Sequence, residues 1–339
     1  MFRRDLFLQT MQLSRGWNWV SNYVAEPVAA GHFLGHVTRI VSQFDEVIND
    51  PLYGMTGGID SLRAGQAYKM EASLGTLKSF KGHLHNLQHA PIGLHTGWNW
   101  ISYPFAEERN INDVLADASE GDVMTSQYGF SEFYDGVWEG TLNTLTPGLG
   151  YIYKSATDKD LAYDFTAGSQ TAAARVAAPE ADAPDTSVDV HKYPSTMNVI
   201  ASVQTADAEA DNEQYCIYAF AGNECRGESR FVGGKHYLTV YGDEATDITF
   251  VVKHTANGGT YLAKEHLTFS PEVVGSRRAP YTLTIAETTG IDGAGNLGAR
   301  NMKVYSIDGV LVNPDATLAD ILKLERGVYI IDGQKFIVK

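Results

Sequence analysis

Apolar residues along this chain fall mostly at every second position, in short runs divided by glycine, proline and Asn/Asp turn residues. Strand side chains alternate between two faces, so the pattern predicts short strands with one buried face. In Gly97-Trp-Asn-Trp-Ile-Ser-Tyr-Pro104 the two tryptophans share a face, and Pro104 ends the run. One stretch changes period. Ile111, Val114 and Leu115 stand at i, i+3 and i+4, which predicts a short helix over 110–117 with Asn110 or Asn112 as its cap. Strand-like runs follow at 123–128 and 130–134, and Asp135-Gly136 marks a hairpin. Pro147-Gly148 turns the chain into a last strand, 151–154.

This plan occurs twice. Gly16-Trp-Asn-Trp-Val-Ser21 returns as Gly97-Trp-Asn-Trp-Ile-Ser102, and Ser42-Gln43 as Ser126-Gln127. Met55-Thr-Gly-Gly-Ile-Asp-Ser-Leu62 aligns with Trp138-Glu-Gly-Thr-Leu-Asn-Thr-Leu145, and Ala64-Gly65…Tyr68 with Pro147-Gly148…Tyr151. A match of this length marks a duplicated structural unit. The first copy spans 1–84 and the second 85–166, with 74–94 connecting them. Copy 1 lacks the helix signal between Ala25 and Val37, so the copies are expected to deviate most there.

Beyond the repeats the pattern breaks. Residues 167–190 are rich in Ala, Ser and acids, with Pro179 and Pro184, and read as a linker with too little apolar content to build a core. From 191 to 286, apolar alternation resumes at 197–203, 215–220, 235–241, 246–253, 261–269 and 281–285, punctuated by Gly-Gly and Gly-Asp pairs. Six or seven strands at that spacing suggest an Ig-like β-sandwich. Residues 287–339 hold two hairpins, around Asp308-Gly309 and Asp332-Gly333, a core too small to stand without docking on the sandwich. The fold class is therefore mainly β, with one or two short helices: duplicated small β modules, a β-sandwich and a small C-terminal β unit.

Charge narrows the partners. The 339 residues carry a net charge of −15, which repels phosphate backbones and anionic lipid, so neither nucleic acid nor a membrane surface is an expected partner. No apolar run is long enough for a membrane span. The first ten residues lack the apolar stretch of a signal peptide and alternate like a strand entered midway, so the chain is expected to be the C-terminal part of a longer protein. Cys216 and Cys225 are displaced along one predicted hairpin and are expected to be free thiols.

Candidate chemistry is sparse. Paired strand tryptophans read as the core of each repeat, whereas Trp138 beside Tyr134 forms a candidate aromatic platform for sugars. His83, His85, His89 and His95 resemble a metal set only superficially, because no cysteine or carboxylate stands at ligand spacing. The acids of 207–212 lack the spacing of a calcium loop. Nucleophile elbows, zinc-protease helices and phosphate loops are absent, and no cofactor or metal is expected.

The Gly-Trp-Asn-Trp-(Ile/Val)-Ser opening with the later Leu-x-(Pro/Ala)-Gly-x-x-Tyr resembles a module of secreted and surface proteins of Bacteroidetes, over about 12–165. Lys192-Tyr-Pro-Ser-Thr-Met197, Ala219 to Gly227 and Ala279-Pro-Tyr281 are similar to the sandwich that often follows it. Val304-Tyr-Ser-Ile-Asp-Gly309, Gly327-Val-Tyr329 and the Lys335-Phe-Ile-Val-Lys339 end resemble a C-terminal sorting domain of type IX secretion. The resemblance implies an extracellular or outer-surface location and a secretion machinery that reads the tail. It implies a non-catalytic spacer-adhesion segment with a glycan or other cell-surface partner. The alternatives are a carbohydrate-binding protein using exposed aromatics of the repeats, and a secreted hydrolase with its site in residues 1–160.

Overall fold

The computed structural model describes residues 6–85, 91–115, 117–164, 188–205, 210–222, 224–256, 260–285 and 302–316, together with 320, 324–325, 327–331 and 334–338. The expected linker lies outside the described residues up to 187, as do His89, the acids at 207 and 209, and the Asp332-Gly333 turn.

Copy 1 runs β1 (Phe7–Leu13), β2 (Gly16–Ser21), β3 (Val28–Ala29), a 3-10 turn (Ala30–Phe33), β4 (Val37–Val41), β5 (Glu46–Asp50), β6 (Gly54–Gly57), β7 (Ser61–Leu62), β8 (Ala67–Ala72) and β9 (Thr76–Gly82). Copy 2 runs β10 (Ile92–Leu94), β11 (Gly97–Ser102), β12 (Arg109–Asn110), α1 (Ile111–Val114), β13 (Val123–Thr125), β14 (Phe130–Tyr134), β15 (Val137–Gly140), β16 (Thr144–Leu145), β17 (Gly150–Ser155) and β18 (Lys159–Leu161). Pairing is the same strand for strand. A five-stranded sheet, β2-β8-β4-β5-β6 or β11-β17-β13-β14-β15, is flanked by the ribbons β1-β9 or β10-β18 and β3-β7 or β12-β16.

The copies differ where their local chemistry differs. Asn110 caps α1, its Oδ1 accepting from Asn112 N at 2.9 Å. Ala29 offers no side-chain cap, and copy 1 closes there as a 3-10 turn. The helix is shorter than predicted. It ends at Val114, and the Leu115 carbonyl accepts from Trp138 Nε1 at 2.8 Å instead of from a further helical turn. The strand expected to reach Tyr128 stops at Thr125, because Ser126-Gln-Tyr-Gly129 is a turn: Ser126 N and Oγ both donate to the Gly129 carbonyl, at 2.8 and 3.1 Å.

Each copy has its own core. Copy 1 packs Met11, Leu13, Phe33, Ile40, Leu62 and Met70. Copy 2 is more aromatic, with Tyr103, Phe133, Trp138, Tyr151 and Tyr153. The paired tryptophans belong to neither, which corrects the expectation that they fill the repeats. Alternation along β2 and β11 places Val20 and Ile101 in the cores, and the tryptophans on the opposite face.

The third unit has eight strands: β19 (Ser195–Thr205), β20 (Tyr215–Ala221), β21 (Glu224–Val232), β22 (Lys235–Gly242), β23 (Asp247–His254), β24 (Thr260–Thr268), β25 (Val273–Val274) and β26 (Tyr281–Ile285). The sheet path is β24-β23-β20-β21-β22-β19-β25, and β26 returns parallel to β19. β21 is the corner. Its first half pairs with β20 and its second half with β22, so one strand serves both layers. Strand β19 is buried on both faces: Met197, Val199 and Ala201 enter the sandwich core, and Asn198 and Ile200 face copy 2. A last four-stranded sheet, β27 (Met302–Ser306), β28 (Leu311–Ala316), β29 (Gly327–Ile331) and β30 (Gln334–Val338), has the order β28-β27-β29-β30. Its small core of Val304 and Ala316, with Leu324 and Tyr329 against it, is drawn from its own residues.

Candidate functional site

The residues that repeat in sequence turn out to be the joints of the molecule. Asn18 folds back on the turn before its own strand. Its Oδ1 accepts from Ser14 N at 2.8 Å, and its Nδ2 donates to the Ser14 and Gly16 carbonyls, both at 2.8 Å. Asn99 does the same, accepting from His95 N at 2.9 Å and donating to the His95 and Gly97 carbonyls at 2.7 and 2.9 Å. Gly16 and Gly97 sit at φ +93° and +97°, which a residue with a Cβ adopts only under strain. The tyrosine of the later motif closes a second loop. Arg63 N donates to Tyr68 Oη at 2.8 Å, and Thr146 N to Tyr151 Oη at 2.6 Å.

The remaining motif residues bind the copies to each other. β2 and β11 are edge strands of their sheets, so half of their backbone groups lack a neighbouring strand. Gln127 of copy 2 supplies them for copy 1: Trp19 N donates to its Oε1 at 2.9 Å, and its Nε2 donates to the Trp17 carbonyl at 2.8 Å. Gln43 of copy 1 supplies them for copy 2: Trp100 N donates to its Oε1 at 2.9 Å, and its Nε2 donates to the Trp98 carbonyl at 2.8 Å. A carboxamide carries one acceptor and two donors, so one glutamine replaces a strand residue on each edge. The Ser21 amide then donates to the Gly148 carbonyl at 2.9 Å, and the Ser102 amide to Gly65 at 3.3 Å. Every one of these contacts has its counterpart with the copies exchanged, which is the geometry of a two-fold dimer inside one chain.

One residue breaks the symmetry. Lys69 of β8 lies between the two tryptophan pairs, its Nζ 4.3 Å from the Trp19 ring centre and 4.5 Å from that of Trp100. Ser195 Oγ lies 3.4 Å away. Lys69 is 6% exposed, and burial pushes its ammonium down to about 7. The two indole faces oppose that shift by favouring the cation. Copy 2 has Ile152 at the equivalent place.

The sandwich sits on copy 2. Val123 and Phe130 pack against Ile200 and Tyr237, and Asn198 Nδ2 donates to Thr125 Oγ1 at 2.8 Å. Tyr241 Oη donates to the Gln127 carbonyl at 2.8 Å. Arg277 clamps the rim: its amide donates to Glu132 Oε2 at 2.7 Å, and its guanidinium pairs with Glu139 at 2.5 Å. Burial pushes the Glu132 carboxyl up, and the Arg277 contacts pull it back. Beside this seat lies a cleft of about 440 Å³ between copy 2, residues 188–190 and strands β21 and β22, with Tyr128, Tyr237, Tyr241 and Phe231 among its walls. Sequence reasoning missed β21, because Cys-Arg-Gly-Glu-Ser-Arg shows no apolar alternation. Turn residues on both sides of it, at 222–223 and 233–234, were the available signal.

The expected sugar platform does not form. Trp138 is 3% exposed, its ring edge-on to Phe133 and Tyr153 and its Nε1 committed to Leu115. The motif position aligned with Met55 is a core position, which explains the burial. Tyr134 is half-buried with the Arg277 guanidinium 5.6 Å from its ring centre, so the two do not share a free face. His83 Nδ1 pairs with Glu26 at 2.5 Å, His85 is half-buried, and the His95 backbone braces Asn99. Among the described residues, no three His, Cys, Asp or Glu side chains gather as a metal cluster. Cys216 and Cys225 are free. Ser229 Oγ lies 3.3 Å from His236 Nδ1, but it also accepts from Ile217 N at 2.8 Å. His236 is fully buried, and burial pushes its imidazole down to about 4, so it is held neutral within the fold.

No family model matches this chain, and no curated protein matches it. Among solved structures it is similar to the gamma-CGTase from Alkalophilic bacillus clarkii, at 9% identity and a TM-score of 0.17, over 83% of this chain and 38% of that one. A superposition at that level carries neither fold nor activity across. The molecule is a mainly β chain of two copies paired as an internal dimer, a sandwich seated on the second, and a small four-stranded sheet.

Proposed function

We propose that this chain is a non-catalytic spacer-adhesion segment of a secreted or surface-attached protein, and that its work is to hold surfaces at fixed positions. The observation that carries this reading is the joint. Gln43, Gln127, Tyr241 and Arg277 spend their polar atoms on contacts between units. Such buried polar contacts are costly when half made, which favours one fixed arrangement over a hinged chain. The resemblance of the repeats and tail to surface-protein modules supports an extracellular setting. Two surfaces are available for adhesion: the cleft beside the sandwich and the β5–β6 tip of copy 1, where Leu52 and Tyr53 are 85% and 81% exposed.

The test is a distance measurement. With Cys216 and Cys225 replaced by serine, spin labels at Leu52→Cys and Asp243→Cys are expected to give one narrow distance distribution by double electron–electron resonance. A broad or two-peaked distribution overturns the rigid-spacer reading.

A further inference from the structure

Residues 190–194, which lead into β19, lie across the edge of β2 and belong to neither copy. Trp17 N donates to the His191 carbonyl at 2.7 Å, Gln127 Nε2 to the Val190 carbonyl at 2.9 Å, and Trp19 Nε1 to the Pro194 carbonyl at 3.1 Å. The His191 ring meets the Tyr128 ring edge-on, with centres 6.3 Å apart, and its Nδ1 donates to the Trp17 carbonyl at 2.6 Å. The His191 carbonyl lies so close over Gly16 that a Cβ there would clash. Exchange of the copies gives every group of this groove a counterpart on the edge of β11. The shared register turns Trp98 N outward as it turns Trp17 N. Among the described residues Trp98 N and Trp100 Nε1 have no partner, and Gln43 Nε2 donates to the Trp98 carbonyl alone. Phe44 holds the place of Tyr128 and is 85% exposed. A Cβ on Gly97 would meet nothing within 4 Å. Trp17, Trp19 and Gln127 are buried, whereas Trp98, Trp100 and Gln43 are half-buried, so this second groove faces water.

The filled groove shows what its counterpart selects. Its three N–H donors read only main-chain carbonyls, at positions i, i+1 and i+4 of one extended segment, and an aromatic ring receives the side chain at i+1. The β11 groove presents the same three donors and a ring. Donors held at that spacing fit a polypeptide main chain, and main-chain recognition at an edge strand tolerates many sequences. The net charge of −15 disfavours a strongly acidic segment. We propose that the β11 groove binds an extended, non-acidic polypeptide segment of a partner protein. Trp98 N, Gln43 Nε2 and Trp100 Nε1 donate to its carbonyls, and Phe44 receives an imidazole or aromatic side chain at i+1. The proposal rests on the adhesive half of the spacer-adhesion reading and names its partner as protein. Distances between spin labels measure rigidity and a titration measures the groove, so either can fail alone.

The probe is the capped peptide Val-Asp-Val-His-Lys-Tyr-Pro-Ser-Thr, the sequence of residues 188–196, titrated into the full chain labelled with ¹⁵N at tryptophan. Three hydrogen bonds and one ring contact place the expected Kd at about 1 mM. The Trp98 amide and the Trp100 indole N–H are expected to shift, and the Trp17 amide and Trp19 indole N–H to stay in place. Phe44→Ala alters an exposed side chain and leaves the fold intact, and it is expected to weaken binding about tenfold. A peptide with glycine in place of its histidine should lose a similar factor. The proposal is overturned if the peptide moves neither Trp98 nor Trp100 at about 10 mM, or if Phe44→Ala leaves binding unchanged. Shifts at Trp17 and Trp19 instead would mean that the peptide displaces residues 190–194, and would overturn it too. Slow exchange of the Trp98 amide in the free chain would show that the chain fills its own groove. Protection that appears only as protein concentration rises would make the occupant a second copy, and either result overturns the proposal.

Discussion

The outer sheet faces of the two copies began as the same surface and now do opposite things. In copy 2, Val123, Thr125, Phe130 and Glu132 are buried under the sandwich. In copy 1 the equivalent positions are Arg39, Val41, Glu46 and Ile48. There Arg39 and Glu46 form a half-exposed ion pair, and Ile48 is 47% exposed. An apolar pair became a charged pair where no domain lands. Tyr128, half-buried at the cleft, corresponds to Phe44, which is 85% exposed. The hairpin tips diverge as well. Copy 2 turns on Asp135-Gly136, with φ of 51° and 79°, the tight two-residue form. Copy 1 has one residue more, and Asp50 Oδ1 accepts from Leu52 N and Tyr53 N at 2.7 and 3.0 Å, holding two large apolar side chains in water. The duplication thus kept the joint and released the faces.

The largest expected effect separates those faces. Phe130→Ala should destabilise the chain by about 3–5 kcal/mol, because the ring is fully buried between copy 2 and Tyr237. Glu46→Ala, at the matching place, should change stability by under ~0.5 kcal/mol, since an exposed ion pair contributes little. Urea denaturation of both variants measures the contrast, and equal losses would mean the faces are not differently loaded.

Next come the glutamines. Gln127→Ala leaves the Trp19 amide without a partner in a buried site and the Trp17 carbonyl with His191 Nδ1 alone, at about 1–3 kcal/mol. Gln43→Ala removes the same two bonds in a half-exposed site where water can enter, so about half that loss is expected. Denaturant midpoints that order the two the other way would show that burial does not set the difference.

Lys69 tests the broken symmetry. Burial lowers its folded pKa to about 7, below the unfolded value. Between those two values the unfolded chain holds a proton that the folded chain has released, so stability rises with pH there. The penalty is greatest at and below pH 7. Lys69→Ile, which installs the residue of copy 2, should therefore stabilise most near pH 6 and progressively less towards about pH 10, with the lost indole contacts limiting the gain to about 2 kcal/mol. A gain that grows with pH would refute the buried-cation description. The smallest effect belongs to the tip: Leu52→Ser with Tyr53→Ser should leave thermal stability within about 0.5 kcal/mol of the parent, because neither side chain is packed.

Much of this architecture was legible in the residue pattern. Alternation located most strands, and the echo of Gly-Trp-Asn-Trp, Ser-Gln and Gly-x-x-Tyr marked the duplicated unit. What the pattern could not convey was direction. Period two places Trp17 and Trp19 on one face but does not say whether that face meets a core or another module. The Ser-Gln pair gave no sign that its amide reaches across to the other copy, because such a contact leaves no trace in local sequence. Trp138 stands in sequence like a platform beside an Asp-Gly turn, yet its indole binds the carbonyl of Leu115, the residue that follows α1. Strand β21 escaped notice because a corner strand has no single buried face to alternate with.

The reciprocal joint is tested most directly by amide hydrogen exchange at Trp19 and Trp100. Both amides point away from their own sheets, and on an unpaired edge strand they would exchange quickly. In the paired molecule each is bound by the glutamine of the other copy. Both are therefore expected to be protected like core strand amides. Gln127→Ala should expose Trp19 and spare Trp100, and Gln43→Ala should expose Trp100 and spare Trp19. Fast exchange of both amides in the parent chain, or an effect confined to the mutated copy, would contradict the internal dimer.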